Sequence, residues 1–155
     1  MDCGEPDEAK LTKTADGALG SVSGFVVEHG SMERVRFLGL RLDMAALFDA
    51  DDGFVSSSAW EGMPLVVGEA MAMEKPVVAT DVGGTRELVG CAGIIVPAGN
   101  CDALAVAMID VMQQSAEQRQ ALGRVARGRI AREFSMGARA NEWEALSRTL
   151  VQMNG

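Results

Sequence analysis

Short apolar segments alternate with helical patterns along most of this chain. Several stretches rich in Val, Ile and Phe have the length of strands, and a segment with helical periodicity follows each of them. Consecutive parallel strands need crossover helices, so this alternation predicts an α/β protein whose parallel sheet has helices on both faces. The predicted strands are residues 35–38, 53–56, 76–80 and 93–96.

The predicted helices begin at typical capping residues. Pro64 suits the first helical position, and Asn100 is a favourable N-cap. Ser115 and Gln118 have the spacing of a capping box. Residues 21–29 fit either a helix or the start of a strand, and both alternatives stay open. The predicted helices span residues 43–51, 65–73, 85–89, 100–114, 115–134 and 136–153, so the chain ends in C-terminal helices.

The composition limits both the architecture and the partners. A length of 155 residues suits one domain, and we expect a loosely ordered segment over residues 1–20 and a single domain over residues 21–155. The net charge of −8 argues against a nucleic-acid partner. The chain has neither a long apolar run nor a signal-peptide pattern at its start. Its three cysteines form no C-x-x-C pair, so we expect a cytoplasmic protein.

The loop and helix after the second predicted strand carry the most informative chemistry. Parallel sheets bind ligands at the carboxyl ends of their strands, where a helix N-terminus near Pro64 would attract an anion such as a phosphate. Gly62 allows close approach to that anion. Glu69 lies farther along the helix and suits a ribose diol, whereas Glu61 lies before the helix and suits another diol. A ligand with a diphosphate between two diols has the composition of a nucleotide sugar, which is the ligand that this segment predicts.

These residues also carry a specific resemblance. Residues 35–150 resemble the donor-binding domain of retaining, family-four type glycosyltransferases of the GT-B fold, which contains a Rossmann-like parallel sheet. Glu61 and Glu69 satisfy the E-x7-E motif of that family. The matching stretches are VRFLG (35–39), DMAALFDADDGFVSSSAWEGMPLVVGEAMA (43–72), PVVATDVGGTRELV (76–89), GIIVPAGNCDALAVAM (93–108) and REFSM (132–136).

The resemblance implies a role for each site residue. Glu61 would be the catalytic-site carboxylate that holds hydroxyls of the transferred sugar, and Glu69 would hold the ribose hydroxyls. No cofactor and no metal are expected, because the nucleotide sugar is a substrate and the helix dipole with basic side chains carries the leaving diphosphate. The remaining donor-binding residues would be Gly62, Met63, Pro64 and Leu65 at the sugar and distal phosphate, Gly39, Leu40 and Arg41 beside the base, and Gly83 and Gly84 near the donor.

The resemblance also implies a larger protein. Members of this family carry an N-terminal acceptor domain and a first donor-domain strand with an Arg and a Lys. The chain therefore resembles an N-terminally truncated donor half of a hexosyltransferase, which we expect to be inactive alone and to meet a membrane only through a lipid-linked acceptor. Arg41, Lys75 and Arg86 are the nearest basic residues in sequence, although none stands in the family's place.

Several alternatives remain open from the sequence. The main one is a non-catalytic nucleotide-binding or partner-binding module. Another phosphate-binding α/β enzyme such as an epimerase has no support, since the chain contains no G-x-G-x-x-G and no Tyr. Glu87 fits a position near the donor or a helix cap equally well. Trp60 is expected to be a packing residue. Glu74 stands where the family usually has Gly, in a turn away from the ligand.

Overall fold

The computed structural model of the chain describes residue 24 and residues 26–153. The chain divides into two units, Met1–Leu42 and Asp43–Gly155. The boundary expected near residue 20 lies outside the described residues, and the division into domains stays a prediction.

Three parallel strands form the sheet of the second unit. They are β1 (Phe54–Ser56), β2 (Val77–Thr80) and β3 (Ile94–Val96), and they lie in the order β1-β2-β3. Val55 pairs with Val78, and Ala79 pairs with Ile95. The parallel sheet predicted from the alternating pattern is therefore confirmed, and all three strands end at the same edge.

Helices connect the strands and complete the second unit. The long segment predicted at residues 115–134 consists of an α-helix followed by one π-helical segment. Among the described residues, no helix combines the length and the apolarity that are needed to cross a membrane. The helices are α1 (Met44–Ala50), α2 (Leu65–Ala72), α3 (Thr85–Val89), α4 (Cys101–Met112), α5 (Ala116–Arg129), the π-helix (Ile130–Phe134) and α6 (Met136–Met153).

Alternate residues of β2 face two separate apolar clusters. Val77 belongs to a cluster with Val67 and Met71 of α2, whereas Val78 belongs to a second cluster with Val111 of α4. A central strand that is buried on both sides requires a helical layer on each face of the sheet. The expectation of helices on both faces is confirmed.

The strand predicted at residues 35–38 is wrong for this structure. Residues 35–39 have no regular secondary structure, and Phe37 and Leu38 are exposed. An alternating segment becomes a strand only where a neighbouring strand pairs with its backbone, and no ladder includes residues 35–38 in the described part of the chain. For the segment that could be helix or strand, residues 26–28 are helical.

The predicted capping box at the start of α5 is confirmed. The Ser115 side chain accepts from the Gln118 N–H, and the Gln118 side chain accepts from the Ser115 N–H. The Ser115 hydroxyl also donates to Glu117 at 2.7 Å, and this hydrogen bond lowers the pKa of that carboxyl.

Replacing Ser115 with alanine removes this cap, because the Gln118 N–H loses its side-chain acceptor. We expect Ser115→Ala to lower the free energy of unfolding by about 1 kcal/mol, measured by urea denaturation. Ser115→Thr keeps a hydroxyl and is expected to retain most of the stability. Equal losses in the two variants would show that the cap contributes nothing.

Candidate functional site

Two loops that leave the carboxyl edge of the sheet contact each other. One follows β1 and contains Glu61 and Gly62, and the other follows β2 and contains Gly83 and Gly84. The N–H of Gly84 donates to the carbonyl of Gly62 at 2.7 Å. The structure thus brings together four of the residues that the sequence assigned to one site.

The contact between these loops depends on the absence of a side chain at residue 83, which is glycine. Its φ is +51°, in the left-handed region, and a Cβ atom there would lie 2.0 Å from the carbonyl oxygen of Glu61. A Cβ atom at Gly84 would lie 3.1 Å from the Gly62 carbonyl oxygen and 3.2 Å from the Met63 side chain. Glycine is therefore required at residue 83 for the two loops to pack.

The carboxylate of Glu61 has a definite partner. The Ser58 hydroxyl donates to Glu61 Oε1 at 2.8 Å, and both residues are half-buried. Ser58 was not predicted from the sequence as a site residue. Neither was Thr80, whose hydroxyl donates to the Ser58 carbonyl. A serine three residues before a glutamate is a detectable signal, because short polar side chains often hydrogen-bond locally in turns.

The helix that carries Glu69 begins beside this loop. Pro64 is the N-cap residue rather than the first helical residue, so its predicted position is wrong by one residue. No side chain caps α2, because proline has no polar side-chain atom. The Val67 N–H donates to the Pro64 carbonyl at 3.0 Å, so the N–H groups of Leu65 and Val66 are the ones left for solvent or a ligand. The partial positive charge of the helix end favours an anion there.

A cleft of about 540 Å³ continues from this region along α2. Met63 lines the cleft and also packs beside Gly84, so the cleft is continuous with the contact between the loops. Glu69 and Glu87 both line it. The Gly84 and Thr85 N–H groups at the start of α3 donate to the carbonyls of Gly62 and Val82 rather than to Glu87, so the structure supports the position of Glu87 near the cleft over its capping role. The other lining residues are Leu65, Gly68, Ala72, Leu88, Ile130, Phe134 and Arg139.

The far wall of the cleft comes from the C-terminal part of the chain. Ile130 and Phe134 belong to the π-helix, a rare conformation that is frequent at functional sites. The Arg139 guanidinium lies 4.7 Å from the centre of the Phe134 ring and is 2.6 Å from Glu142. The sequence predicts helices for both segments, but no sequence pattern indicates that they line the same cleft as Glu69.

The basic residues named from the sequence do not all lie at this edge. Lys75 precedes β2 and donates to the carbonyls of Asp49 and Asp51, at the opposite edge of the sheet. Arg86 lies in α3, and its Nε is 3.1 Å from both carboxylate oxygens of Asp81. The hydrogen bond to Asp81 raises the pKa of Arg86. Arg86 is therefore already paired with an acidic residue.

Trp60 lies in the loop after β1, next to Glu61. The expectation that Trp60 is a packing residue is wrong, because the residue is 84% exposed. Gly39, Leu40 and Arg41 belong to the first unit, and their role beside a base stays a prediction. Glu74 has a φ of +59°, which explains why glycine would suit this turn.

Comparison with known proteins identifies the class of the chain. Residues 6–114 match the family model described as glycosyl transferases group 1, and the chain belongs to this family. It is 35% identical over 131 residues to the lipopolysaccharide core biosynthesis mannosyltransferase LpsB of Rhizobium meliloti (strain 1021), covering 79% of this chain and 37% of LpsB. The chain thus spans little more than a third of that relative.

Solved structures agree with the assignment. Sucrose-phosphate synthase from Thermosynechococcus elongatus superposes with a TM-score of 0.73 at 31% identity, over 85% of this chain and 34% of that protein. Anabaena HepE, solved in complex with UDP and glucose, gives a TM-score of 0.76 at 27% identity, over 87% of this chain and 38% of HepE. These matches confirm the predicted fold class, a Rossmann-like half of the GT-B architecture.

Proposed function

We propose that this chain binds a nucleotide-diphosphate sugar as the donor for glycosyl transfer. The observation that carries the proposal is the contact between the loops of Glu61 and Gly83, together with the cleft that continues from it to Glu69. One end of this surface is the carboxylate of Glu61, which Ser58 holds by a hydrogen bond. Its middle is the uncapped N-terminus of α2, and its far part contains the carboxylate of Glu69. This order suits a sugar, a diphosphate and a ribose.

Each part of the donor has a matching group in the proposed complex. Glu61 would accept hydrogen bonds from hydroxyls of the transferred sugar and is the proposed catalytic residue. The backbone from Gly62 to Leu65, with the N–H groups of the first α2 turn, would bind the distal phosphate. Glu69 is four residues beyond Leu65, about 6 Å along the helix axis, and would hold the ribose diol.

The proposed transfer is retaining and independent of metal ions. Charge that develops on the leaving diphosphate would be stabilised by the N-terminus of α2, where backbone donors are fixed before the reaction. Arg86 would assist only by sharing its guanidinium between Asp81 and the phosphate. In residues 26–153, no three His, Cys, Asp or Glu side chains lie close enough to share a metal ion, and metal independence itself stays a prediction.

The complete transfer reaction would require a larger protein than this chain. We propose that an N-terminal acceptor domain positions the acceptor hydroxyl against the sugar, because positioning supplies much of the rate of such reactions. A helix N-terminus stabilises an anion by roughly 0.3 to 2 kcal/mol, and each hydrogen bond to a carboxylate adds roughly 1.5 to 3 kcal/mol. The chain alone is therefore expected to bind the donor with a Kd of about 1 mM, which corresponds to about 4 kcal/mol, and to transfer nothing. Cytoplasmic location and contact with a lipid-linked acceptor stay predictions.

Substitution of the two glutamates tests the proposed donor contacts. Hydrogen bonds to charged groups contribute roughly 1.5 to 3 kcal/mol each, so Glu69→Ala is expected to weaken binding of nucleoside diphosphate and nucleotide sugar alike by about ten-fold or more. Glu61→Ala is expected to weaken binding of the nucleotide sugar more than binding of the free nucleotide. NMR titration of the chain with UDP and UDP-glucose, and with GDP and GDP-mannose, measures these losses through amides from Gly62 to Glu69.

Asp110→Ala is the matched control for this experiment. Asp110 is an exposed acidic residue of α4, a helix that packs on the opposite face of the sheet from α2, and its loss is expected to leave both titrations unchanged. Equal losses for both ligands in both glutamate variants would contradict the division of roles. Absence of any shift at tens of millimolar ligand would favour a partner-binding module instead.

A further inference from the structure

Hydrogen bonds through Ser58 connect the side chain of Glu61 to the sheet. The Ser58 hydroxyl donates to the carboxylate, and the hydroxyl of Thr80, the last residue of β2, donates to the backbone carbonyl of Ser58. We propose that Ser58 and Thr80 are positioning residues that hold the Glu61 carboxylate in one orientation at the carboxyl edge of the sheet. This inference rests on the proposed function, in which Glu61 meets the transferred sugar.

Thr80 is the fixed end of the chain of contacts. Its residue is only 4% exposed, and its hydroxyl donates to the carbonyl of Ser58 at 2.6 Å. The carbonyl of Ser56 lies 3.4 Å from the same hydroxyl. A buried hydroxyl without a partner is costly, so Thr80 and the loop after β1 hold each other in place.

The direction of donation begins at the carboxylate of Glu61. The Ser58 hydroxyl donates its single proton to Glu61 Oε1 at 2.8 Å. The Ser56 and Ser58 hydroxyl oxygens are 3.4 Å apart. Since Ser58 has only one proton and uses it for Glu61, Ser56 must be the donor in that pair. The order of donation is therefore Ser56 to Ser58 to Glu61.

The backbone of Glu61 is restrained as well. Its carbonyl packs against Gly83, and the neighbouring Gly62 carbonyl accepts from Gly84 at 2.7 Å. The contact with Gly83 therefore limits the backbone while Ser58 limits the side chain. A carboxylate held from both ends needs little reorganisation when a ligand binds. Among the described residues, a donor reaches Oε1 alone, which leaves Oε2 for sugar hydroxyls in the proposed complex.

The orientation of Glu61 is measurable without any ligand. In the free 155-residue chain, three-bond NMR couplings are expected to report one χ1 rotamer for Glu61. In Ser58→Ala, the Glu61 side chain is expected to exchange between rotamers, so that the couplings take averaged values. Ser58→Thr keeps a hydroxyl and is expected to preserve a single rotamer. Ser57→Ala is the control, because Ser57 is an exposed neighbour in the same loop and its loss is expected to change nothing.

Thr80 is tested by two substitutions of similar size. Thr80→Val removes the hydroxyl and is expected to average the Glu61 couplings, whereas Thr80→Ser keeps the hydroxyl and is expected to preserve them. If Thr80→Val fails to fold, the Ser58 variants decide the inference alone. Averaged couplings in the wild-type chain, or a single rotamer that survives Ser58→Ala, would overturn it.

Binding supplies a second readout that separates positioning from overall stability. Loss of one hydrogen bond that orients a carboxylate is expected to reduce the affinity for UDP-glucose by about three- to ten-fold, with the affinity for UDP unchanged within about two-fold. Equal losses for both ligands in Ser58→Ala would contradict the inference. If the wild-type chain binds no nucleotide sugar, the proposed function fails, and the Glu61 couplings still decide the positioning role by themselves.

Discussion

Replacing Gly83 with alanine is expected to destabilise the fold by about 2 to 5 kcal/mol. A left-handed conformation costs an L-residue roughly 1 to 2 kcal/mol, and Gly83 has a φ of +51°. Overpacking adds typically 1 to 3 kcal/mol, and the new Cβ atom would lie 2.0 Å from the carbonyl oxygen of Glu61. The conflict is with backbone, so no change of side-chain rotamer relieves it.

Gly99 provides a matched control for this substitution. Its φ is +73°, and a Cβ atom there would meet nothing within 4 Å. Gly99→Ala therefore incurs only the conformational cost, about 1 to 2 kcal/mol. Urea denaturation of both variants measures the difference, and NMR shifts of residues 61 and 62 are expected to change in Gly83→Ala alone. Equal losses of stability would show that the loops do not need close contact at Gly83.

Much of the architecture was predictable because it depends on local patterns. Short apolar runs identified β1, β2 and β3, and the capping box marked the start of α5. The strand predicted at residues 35–38 failed for a physical reason. Alternation describes which side chains could face a core, but a strand also needs a partner for its backbone groups, and the sequence pattern does not show whether that partner is present.

The candidate site was predictable to a similar extent. Its parallel strands place Glu61, Gly62, Gly83 and Gly84 at one edge, as the alternating pattern indicated. The buried hydroxyl of Thr80 was not predictable as a partner of the Ser58 carbonyl, because this bond joins residues 22 positions apart. The exposure of Trp60 was also not predictable, since burial depends on neighbours that the local sequence does not specify.

The turn after α2 is the second place where the fold depends on a glycine. Glu74 has a φ of +59°, and its carbonyl oxygen points toward Gly123 of α5. A Cβ atom at Gly123 would lie 1.8 Å from that oxygen. The close approach of α5 to the end of α2 therefore requires glycine at residue 123, and the same contact fixes the helix that carries Glu69.

Overpacking typically costs about 1 to 3 kcal/mol, and the higher helix propensity of alanine offsets about 1 kcal/mol of it. Gly123→Ala is accordingly expected to destabilise the chain by up to about 2 kcal/mol. Gly128 lies in the same helix and provides the control, because its replacement by alanine meets no backbone atom. A Cβ atom at Gly128 would come within 3.2 Å of only the Arg132 guanidinium, the flexible end of a side chain. Gly128→Ala is therefore expected to stabilise the chain by about 0.5 to 1 kcal/mol.

The two substitutions change helix propensity alike, so opposite shifts in the midpoint of urea denaturation can come only from the contact with Glu74. Because α2 carries both the uncapped N-terminus and Glu69, displacement of α5 is also expected to move the amide signals of α2 in Gly123→Ala and not in Gly128→Ala. Stabilisation by both variants would mean that α5 moves away from the turn without cost. In that case the turn at Glu74 would not hold α2 in position beside the cleft.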